Sequence, residues 1–237
     1  YSPAWLAPVA TKELRAEIAL PGSKSLNNRE LVLSALAASP TTLSGVLKSR
    51  DSDLMIAALR SLGAEIIENT NGSLTVNPVA KFTSASIDCG LAGTVMRFVP
   101  PIAALASGDV EFDGDEAAKK RPMQATIQSL RALGVSVSSE NNQSLPFTVH
   151  GNGKINGGEI SIDASASSQF VSGLLLAAPR FENGLTLRHQ GDHLPSMPHI
   201  EMTLDCLRKR GVKVSTPETA VWRVEPGSIA GGAVNIE

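Results

Sequence analysis

Leu20-Pro21-Gly22-Ser23-Lys24-Ser25-Leu26-Asn27-Asn28-Arg29 runs straight into Glu30-Leu31-Val32-Leu33-Ser34-Ala35-Leu36-Ala37-Ala38. Pro21-Gly22 breaks a strand-like segment, and Ser23 or Ser25 is placed to cap a helix start. Leu31, Ala35 and Ala38 then recur at helical spacing. A helix start exposes unpaired N–H groups and a partial positive charge, which favours an anion. Lys24 and Arg29 add two full charges close by. Taken alone, the segment fits a capped surface helix with solvated cations equally well.

Two further segments have the same build. Gly90-Leu91-Ala92-Gly93-Thr94-Val95-Met96-Arg97 opens the apolar run from Phe98 to Ala106, which Pro100-Pro101 is expected to interrupt. Ser165-Ala166-Ser167-Ser168-Gln169-Phe170 opens Val171 to Ala178. Short β-like stretches follow each: Thr42 to Val46, Asp109 to Phe112 and Gly184 to Leu187. A second set of helices repeats in register, Met55 to Leu62, Thr126 to Leu133 and Thr203 to Arg210. Gly63, Gly134 and Gly211 stand just past their ends, where a helix C-cap takes positive φ. The chain therefore reads as three β-α-β-α-β-β copies of about 70 residues, longer than common solenoid repeats. The expected fold is α/β (α+β), a closed pseudo-threefold domain with helices inside and four-stranded sheets outside. Expected boundaries are residues 21–237 for the domain, with copies at about 21–90, 91–160 and 161–237. Residues 13–20 read as an alternating strand outside the threefold count, followed by a hinge at Pro21.

At 237 residues the chain buries a substantial core. A net charge of −2 offers no global basic field to nucleic acid, and 4% aromatics offer no stacking platform. Cys89 and Cys206 stand far apart with no partner at metal spacing, which favours free thiols and a reducing compartment. No apolar run reaches the ~20 residues of a membrane span. Both ends read as cut, so a longer parent protein is expected.

Several motifs fail on inspection. Ser23-Lys24-Ser25 lacks the glycines of a phosphate-binding loop, with Ile18 and Ser23 at the required positions. Gly191, Pro195 and Pro198 keep His189, His193 and His199 off any shared helix face, so no metal site is expected. No G-x-S-x-G elbow accompanies the Ser, His and Asp residues. In Asp113-Gly114-Asp115-Glu116-Ala117-Ala118-Lys119-Lys120-Arg121-Pro122, three cations precede a proline suited to a first helical turn. A solvated charge cluster is the ordinary reading, with Arg121 aimed along the helix start as the alternative.

Pro21-Gly22-Ser23-Lys24-Ser25 with Arg29, Ala92-Gly93-Thr94 with Arg97, Arg121-Pro122 and Ser167-Ser168-Gln169 together resemble the EPSP synthase family, in order and over the whole chain. The resemblance implies transfer of the enolpyruvyl group of phosphoenolpyruvate to the 5-hydroxyl of shikimate 3-phosphate, in the shikimate pathway of aromatic amino-acid biosynthesis, by a cytoplasmic transferase and glyphosate target that uses no cofactor. It implies that this is the N-terminal half of a two-domain enzyme, with residues 1–20 pairing in the other domain. By position, Lys24 would be shared by both substrates. Ser25, Arg29, Ser167, Ser168, Gln169 and Ser196 would take shikimate 3-phosphate. Gly93, Arg121 and Gln169 would join Lys24 around phosphoenolpyruvate, with Lys24 and Gln169 nearest the chemistry. Many relatives carry Asn where Leu91 stands and Tyr where His199 stands; the first departure bears on the phosphoenolpyruvate edge and glyphosate sensitivity.

The two substrates together carry about five negative charges at neutral pH. Micromolar affinity needs about 8 kcal/mol, whereas one exposed helix start supplies about 0.3–1 kcal/mol. Several charge-assisted bonds of about 1.5–3 kcal/mol each are therefore required, and Lys24, Arg29 and Arg121 are the candidates. Carboxylates acting on the 5-hydroxyl would come from the other domain, so the chain alone is expected not to turn over. The alternatives are a UDP-N-acetylglucosamine enolpyruvyl transferase domain, disfavoured because the Arg121 loop lacks a Cys, and a non-catalytic phosphate- or RNA-binding module. Every version of the main reading requires Lys24, Gly93, Arg121 and Ser167 to face one pocket.

Overall fold

The computed structural model describes residues 5–18, 22–193 and 196–236. The first unit comprises α1 (Lys24–Leu36), β1 (Thr41–Ser44), α2 (Arg50–Ser61), β2 (Glu65–Glu68) and β3 (Leu74–Asn77). The second runs β4 (Phe82–Asp88), α3 (Gly93–Ala103), β5 (Ala106–Asp113), α4 (Gln124–Ala132), β6 (Ser136–Ser139) and β7 (Phe147–Asn152). The third runs β8 (Gly158–Ile162), α5 (Gln169–Ala177), β9 (Leu185–His189), α6 (Met197–Lys209), β10 (Val214–Glu218) and β11 (Val221–Val224), and β12 (Gly232–Asn235) follows.

Three separate four-stranded sheets result, and all have one plan: β12-β1-β3-β2, β4-β5-β7-β6 and β8-β9-β11-β10. In each, the first two strands are parallel and the other two pairings antiparallel. The threefold α/β plan expected from the repeats is therefore present. Sheet membership starts the second and third units at β4 and β8, ahead of the boundaries expected near 90 and 160. The opening strand of the first unit is β12, brought in from the far end of the chain.

Burial divides the helices into two sets. Every residue of α3 is buried, as is every residue of α5 after Gln169 and of α1 from Asn27 onward. The others bury single stripes, such as Met55, Ile56 and Leu59 on α2. The central strands β1, β3, β7 and β9 bury alternate residues, so each sheet turns one face to the helices. Gly63, Gly134 and Gly211 take φ of 108°, 83° and 80° after the outer helices, the repeated C-cap.

Two expectations need correction. Pro100-Pro101 does not interrupt the second apolar run: α3 continues to Ala103, and the Ala104 amide still donates to the Pro100 carbonyl at 3.1 Å. The prolines remove the donors for the Met96 and Arg97 carbonyls, and Gly173 of α5 packs its backbone directly on the Arg97 oxygen. Residues 13–18 form no strand. They pair with nothing among the described residues, and Trp5, Leu6, Val9, Leu14 and Ile18 are all exposed, since a strand needs a neighbour to hold it. The rest of that segment and the Pro21 hinge lie outside the described residues.

A buried ion pair locks the first unit to the third. Arg210 reaches Glu30 Oε2 from Nη2 at 2.7 Å and from Nε at 3.1 Å, and donates also to Ser34 Oγ, Thr41 Oγ1 and the Ala230 carbonyl. All five guanidinium N–H groups are thereby satisfied. Cys89 and Cys206 are free and buried, and burial pushes both thiols up to about 12. Among the described residues no helix is long and apolar enough to cross a membrane.

Candidate functional site

The inner helices begin at one end of the molecule. α1 is capped by Ser23, whose Oγ accepts the Leu26 amide at 3.4 Å. The starts of α3, α5 and α6, at Ala92, Ser168 and Ser196, have no side-chain cap. Uncapped first turns leave amide N–H groups for solvent or an anion.

Contacts between these turns show how close they lie. Gly93, the first residue of α3, has the Arg121 guanidinium and the Gln169 amide on its open side. A Cβ built there would stand 2.7 Å from Arg121 Nη2 and 3.1 Å from Gln169 Oε1. Arg121 Nη1 donates to the Leu91 carbonyl at 3.0 Å, which turns the guanidinium across the start of α3. Of the expected charge cluster, Lys120 is exposed, while Lys119 is half-buried and paired with Glu116 at 3.1 Å and Asp113 at 3.4 Å. Pro122 precedes α4 rather than opening it, and its carbonyl accepts Arg97 Nη2 at 3.0 Å.

Asn28 Nδ2 donates to Thr94 Oγ1 at 2.6 Å and so ties α1 to the first turn of α3. Lys24 lies one turn nearer the end on α1, exposed, with Nζ 2.8 Å from Asp51 Oδ2. Ser167 Oγ accepts the Gln169 amide at 3.2 Å, and both residues are half-buried on the loop into α5. Direct contacts thus bring Arg121 and Gln169 against Gly93, and join α1 to the first turn of α3 through Asn28.

Arg29 needs the largest revision. Expected as a ligand cation, it is turned inward with 2% of its surface exposed. Nε donates to Thr203 Oγ1 at 2.7 Å, Nη1 to the Ser25 carbonyl at 2.7 Å, and Nη2 to Ser172 Oγ and the His199 carbonyl at 3.1 and 2.9 Å. Its guanidinium lies 5.3 Å from the centre of the Phe98 ring. Four of its five N–H groups are thus spent inside the protein. These partners give Arg29 a different task, pinning the first turns of α1, α5 and α6 together. Ser168 stands one turn above Ser172, and Ser196 leads into the turn whose His199 carbonyl Arg29 holds. Ser196 itself is exposed, in the left-handed region at φ 55°.

Arg97 is the second buried cation, 3% exposed and 5.6 Å from the Phe170 ring centre. Its Nε has no hydrogen-bond partner. Burial lowers the pKa of Arg29 and Arg97 to about 10, with Arg121 adding to the effect at Arg97, so both stay charged at neutral pH. Two guanidiniums at the start of α3, with Lys24 beyond, make this end a local positive focus on a chain of net charge −2. Sequence reasoning missed Asn28, Thr94, Ser172 and Thr203. Their one visible signal was polarity inside otherwise apolar helices.

The site accepts no side chain at Gly93 without cost. All three atoms that a Cβ meets belong to the ends of two flexible side chains, so Gly93→Ala is expected to fold but to push Arg121 aside. Its affinity for inorganic phosphate should fall about threefold to tenfold by calorimetry, with the thermal midpoint nearly unchanged. Equal affinity would show that Arg121 does not hold anions from this position.

A family model for EPSP synthase (3-phosphoshikimate 1-carboxyvinyltransferase) matches residues 9–237. Two solved structures of EPSP synthase from Acinetobacter baumannii have the same fold, with TM-scores of 0.77 and 0.78. Each is 24% identical over 92% of this chain and 49% of its own. The chain thus spans about half the length of the structures it matches.

Proposed function

The chain belongs to the EPSP synthase family, and from that premise we propose that it forms the shikimate-3-phosphate half of a cytoplasmic enzyme that transfers the enolpyruvyl group of phosphoenolpyruvate to the 5-hydroxyl of its co-substrate. A new bond joins the 5-oxygen to the enolpyruvyl carbon, the hydroxyl proton is lost, and phosphate leaves. The observation that carries the reading is the meeting of Gly93, Arg121 and Gln169 at the uncapped start of α3.

In this proposal Arg121 and the first amides of α3 hold the phosphoenolpyruvate phosphate, and Gly93 lets it approach the backbone. Arg offers a planar pair of donors suited to phosphate. Lys24 exchanges its resting partner Asp51 for the two anionic substrates and serves as a mobile charge near the transferred proton. Ser167, Ser168 and Ser196 take the 3-phosphate at the open starts of α5 and α6, with Ser25 beside them. Gln169 lies between the two substrates. Arg29 acts chiefly from below, through the turns it pins, with one N–H left for direct contact. The remaining carboxylates and cations come from a second domain, which also supplies strand partners for the exposed apolar residues of 5–18. Closure of the two halves excludes water.

The test is calorimetric titration of the chain with shikimate 3-phosphate, phosphoenolpyruvate, a UDP-sugar and a short RNA, together with a steady-state assay. Heat with the first ligand and no turnover is the expected outcome. Arg121→Gln should weaken phosphoenolpyruvate binding about tenfold to a hundredfold while keeping the fold, the worth of one charge-assisted contact. Ordinary turnover by this chain alone would refute the half-site, and heat only with UDP-sugar or RNA would overturn the substrate.

A further inference from the structure

Arg97 is the one charged residue of α3 and stands four places after Gly93. A helical side chain covers the turn N-terminal to its own Cα, so this spacing returns the guanidinium to the start of α3. What it touches there belongs to, or adjoins, each residue that meets at the site. Nη1 donates to the carbonyl of Gly93 itself at 3.4 Å. Nη2 donates at 3.0 Å to the carbonyl of Pro122, the residue after Arg121. The guanidinium lies 5.6 Å from the ring centre of Phe170, the residue after Gln169. One planar group thus ties together the first turn of α3, the loop before α4 and the first turn of α5.

At 3% exposure Arg97 is too deep to meet a ligand itself. Its charge is also unanswered. The hydrogen bonds of Arg97 and Arg121 end on the Gly93, Pro122 and Leu91 carbonyls and the Met96 sulfur, all neutral acceptors. Arg97 Nε has no partner at all. Burying a cation without a counter-charge is unfavourable. A methionine would fill much the same space without that penalty, so packing alone does not account for an arginine. A lysine could not hold both carbonyls, since its ammonium is a point charge and not a planar fork.

We propose that Arg97 is the positioning residue of the anion site: it meets no substrate, and it sets where Arg121 and Gln169 stand over Gly93. The inference rests on Arg121 as the residue that holds an anion, and its test separates the two.

The full chain is followed by NMR of its arginine side chains and by calorimetry with inorganic phosphate. Arg97→Lys keeps the charge and loses the fork. In that variant the Arg121 Nε–H resonance should broaden toward that of a free side chain, and phosphate affinity should fall about tenfold. In the Arg121→Gln background the same change should cost less than about twofold, because Arg97 acts through Arg121. A merely structural role would weaken both backgrounds alike, and that result would overturn the proposal. So would an unmoved Arg121 resonance, or full phosphate affinity in Arg97→Lys. Arg97→Met removes the buried charge at similar volume and serves if the lysine variant does not fold. It should loosen Arg121 equally and weaken phosphate by about tenfold or more. An Arg121 resonance as sharp as in the parent chain would again overturn the proposal. Full phosphate affinity in Arg121→Gln alone would instead refute Arg121 as the anion holder, while its resonance in the parent and the Arg97 variants still decides whether Arg97 sets its place.

Discussion

The Gly173→Ala chain is expected to lose roughly 3 kcal/mol of stability or more, although the change adds one methyl group. An ideal Cβ at Gly173 falls inside the van der Waals shell of the Arg97 carbonyl oxygen and stands 2.9 Å from its carbon. Backbone there cannot swing aside as a side chain does, so α3 and α5 must part along their whole contact. That contact lies at the centre of the core, where packing density leaves no slack. The same shift would move Gly93 and Gln169, which head these two helices, so anion binding should fall together with stability. Urea unfolding is the measurement, read as a lower midpoint at unchanged slope. A loss under about 1 kcal/mol would mean that the two helices yield more easily than close packing allows.

Glu30→Gln is the second large effect, expected to cost about 3–5 kcal/mol. The substitution is nearly isosteric and leaves the Arg210 charge buried at 3% exposure without its counter-charge. The double variant Glu30→Leu with Arg210→Met should recover most of the loss, because desolvating both charges consumes much of what their attraction returns. A double-mutant cycle gives the coupling directly. Equal and additive losses would show that the pair does not act as a unit.

The threefold plan was legible because each copy repeats local chemistry: a small-residue helix start, a second helix, and a glycine where positive φ is needed. Gly63, Gly134 and Gly211 carry that signal within their own neighbourhoods. Arg121 was legible only in part: the sequence aimed it along the helix after Pro122, and its guanidinium lies instead across the start of α3. The orientation of Arg29 was not, because its partners Ser172, His199 and Thr203 lie 143, 170 and 174 residues along the chain. Nothing local separates an arginine that meets a ligand from one that pins three helices beneath it. Pro100-Pro101 misled for the same kind of reason. Helix α3 tolerates them because Gly173, remote in sequence, covers a carbonyl they free. The unit boundaries shifted because pairing in a sheet, rather than periodicity, decides which copy owns β4.

The pairing of β12 with β1 gives the order of synthesis a role in how the first unit matures. Thr41 to Ser44 lie parallel to Gly232 to Asn235, and the Ser44 hydroxyl donates to a carbonyl 190 residues ahead. The single partners of β4 and of β8, which are β5 and β9, emerge from the ribosome within a few tens of residues of them. The edge of β1 must wait for a strand 190 residues further on. Until then α1 lacks Arg210 for Glu30, and an apolar face of the first unit stays open to chaperones or to a neighbouring nascent chain. The first unit therefore closes its sheet after the second and third have closed theirs, although its α1 is made before their helices.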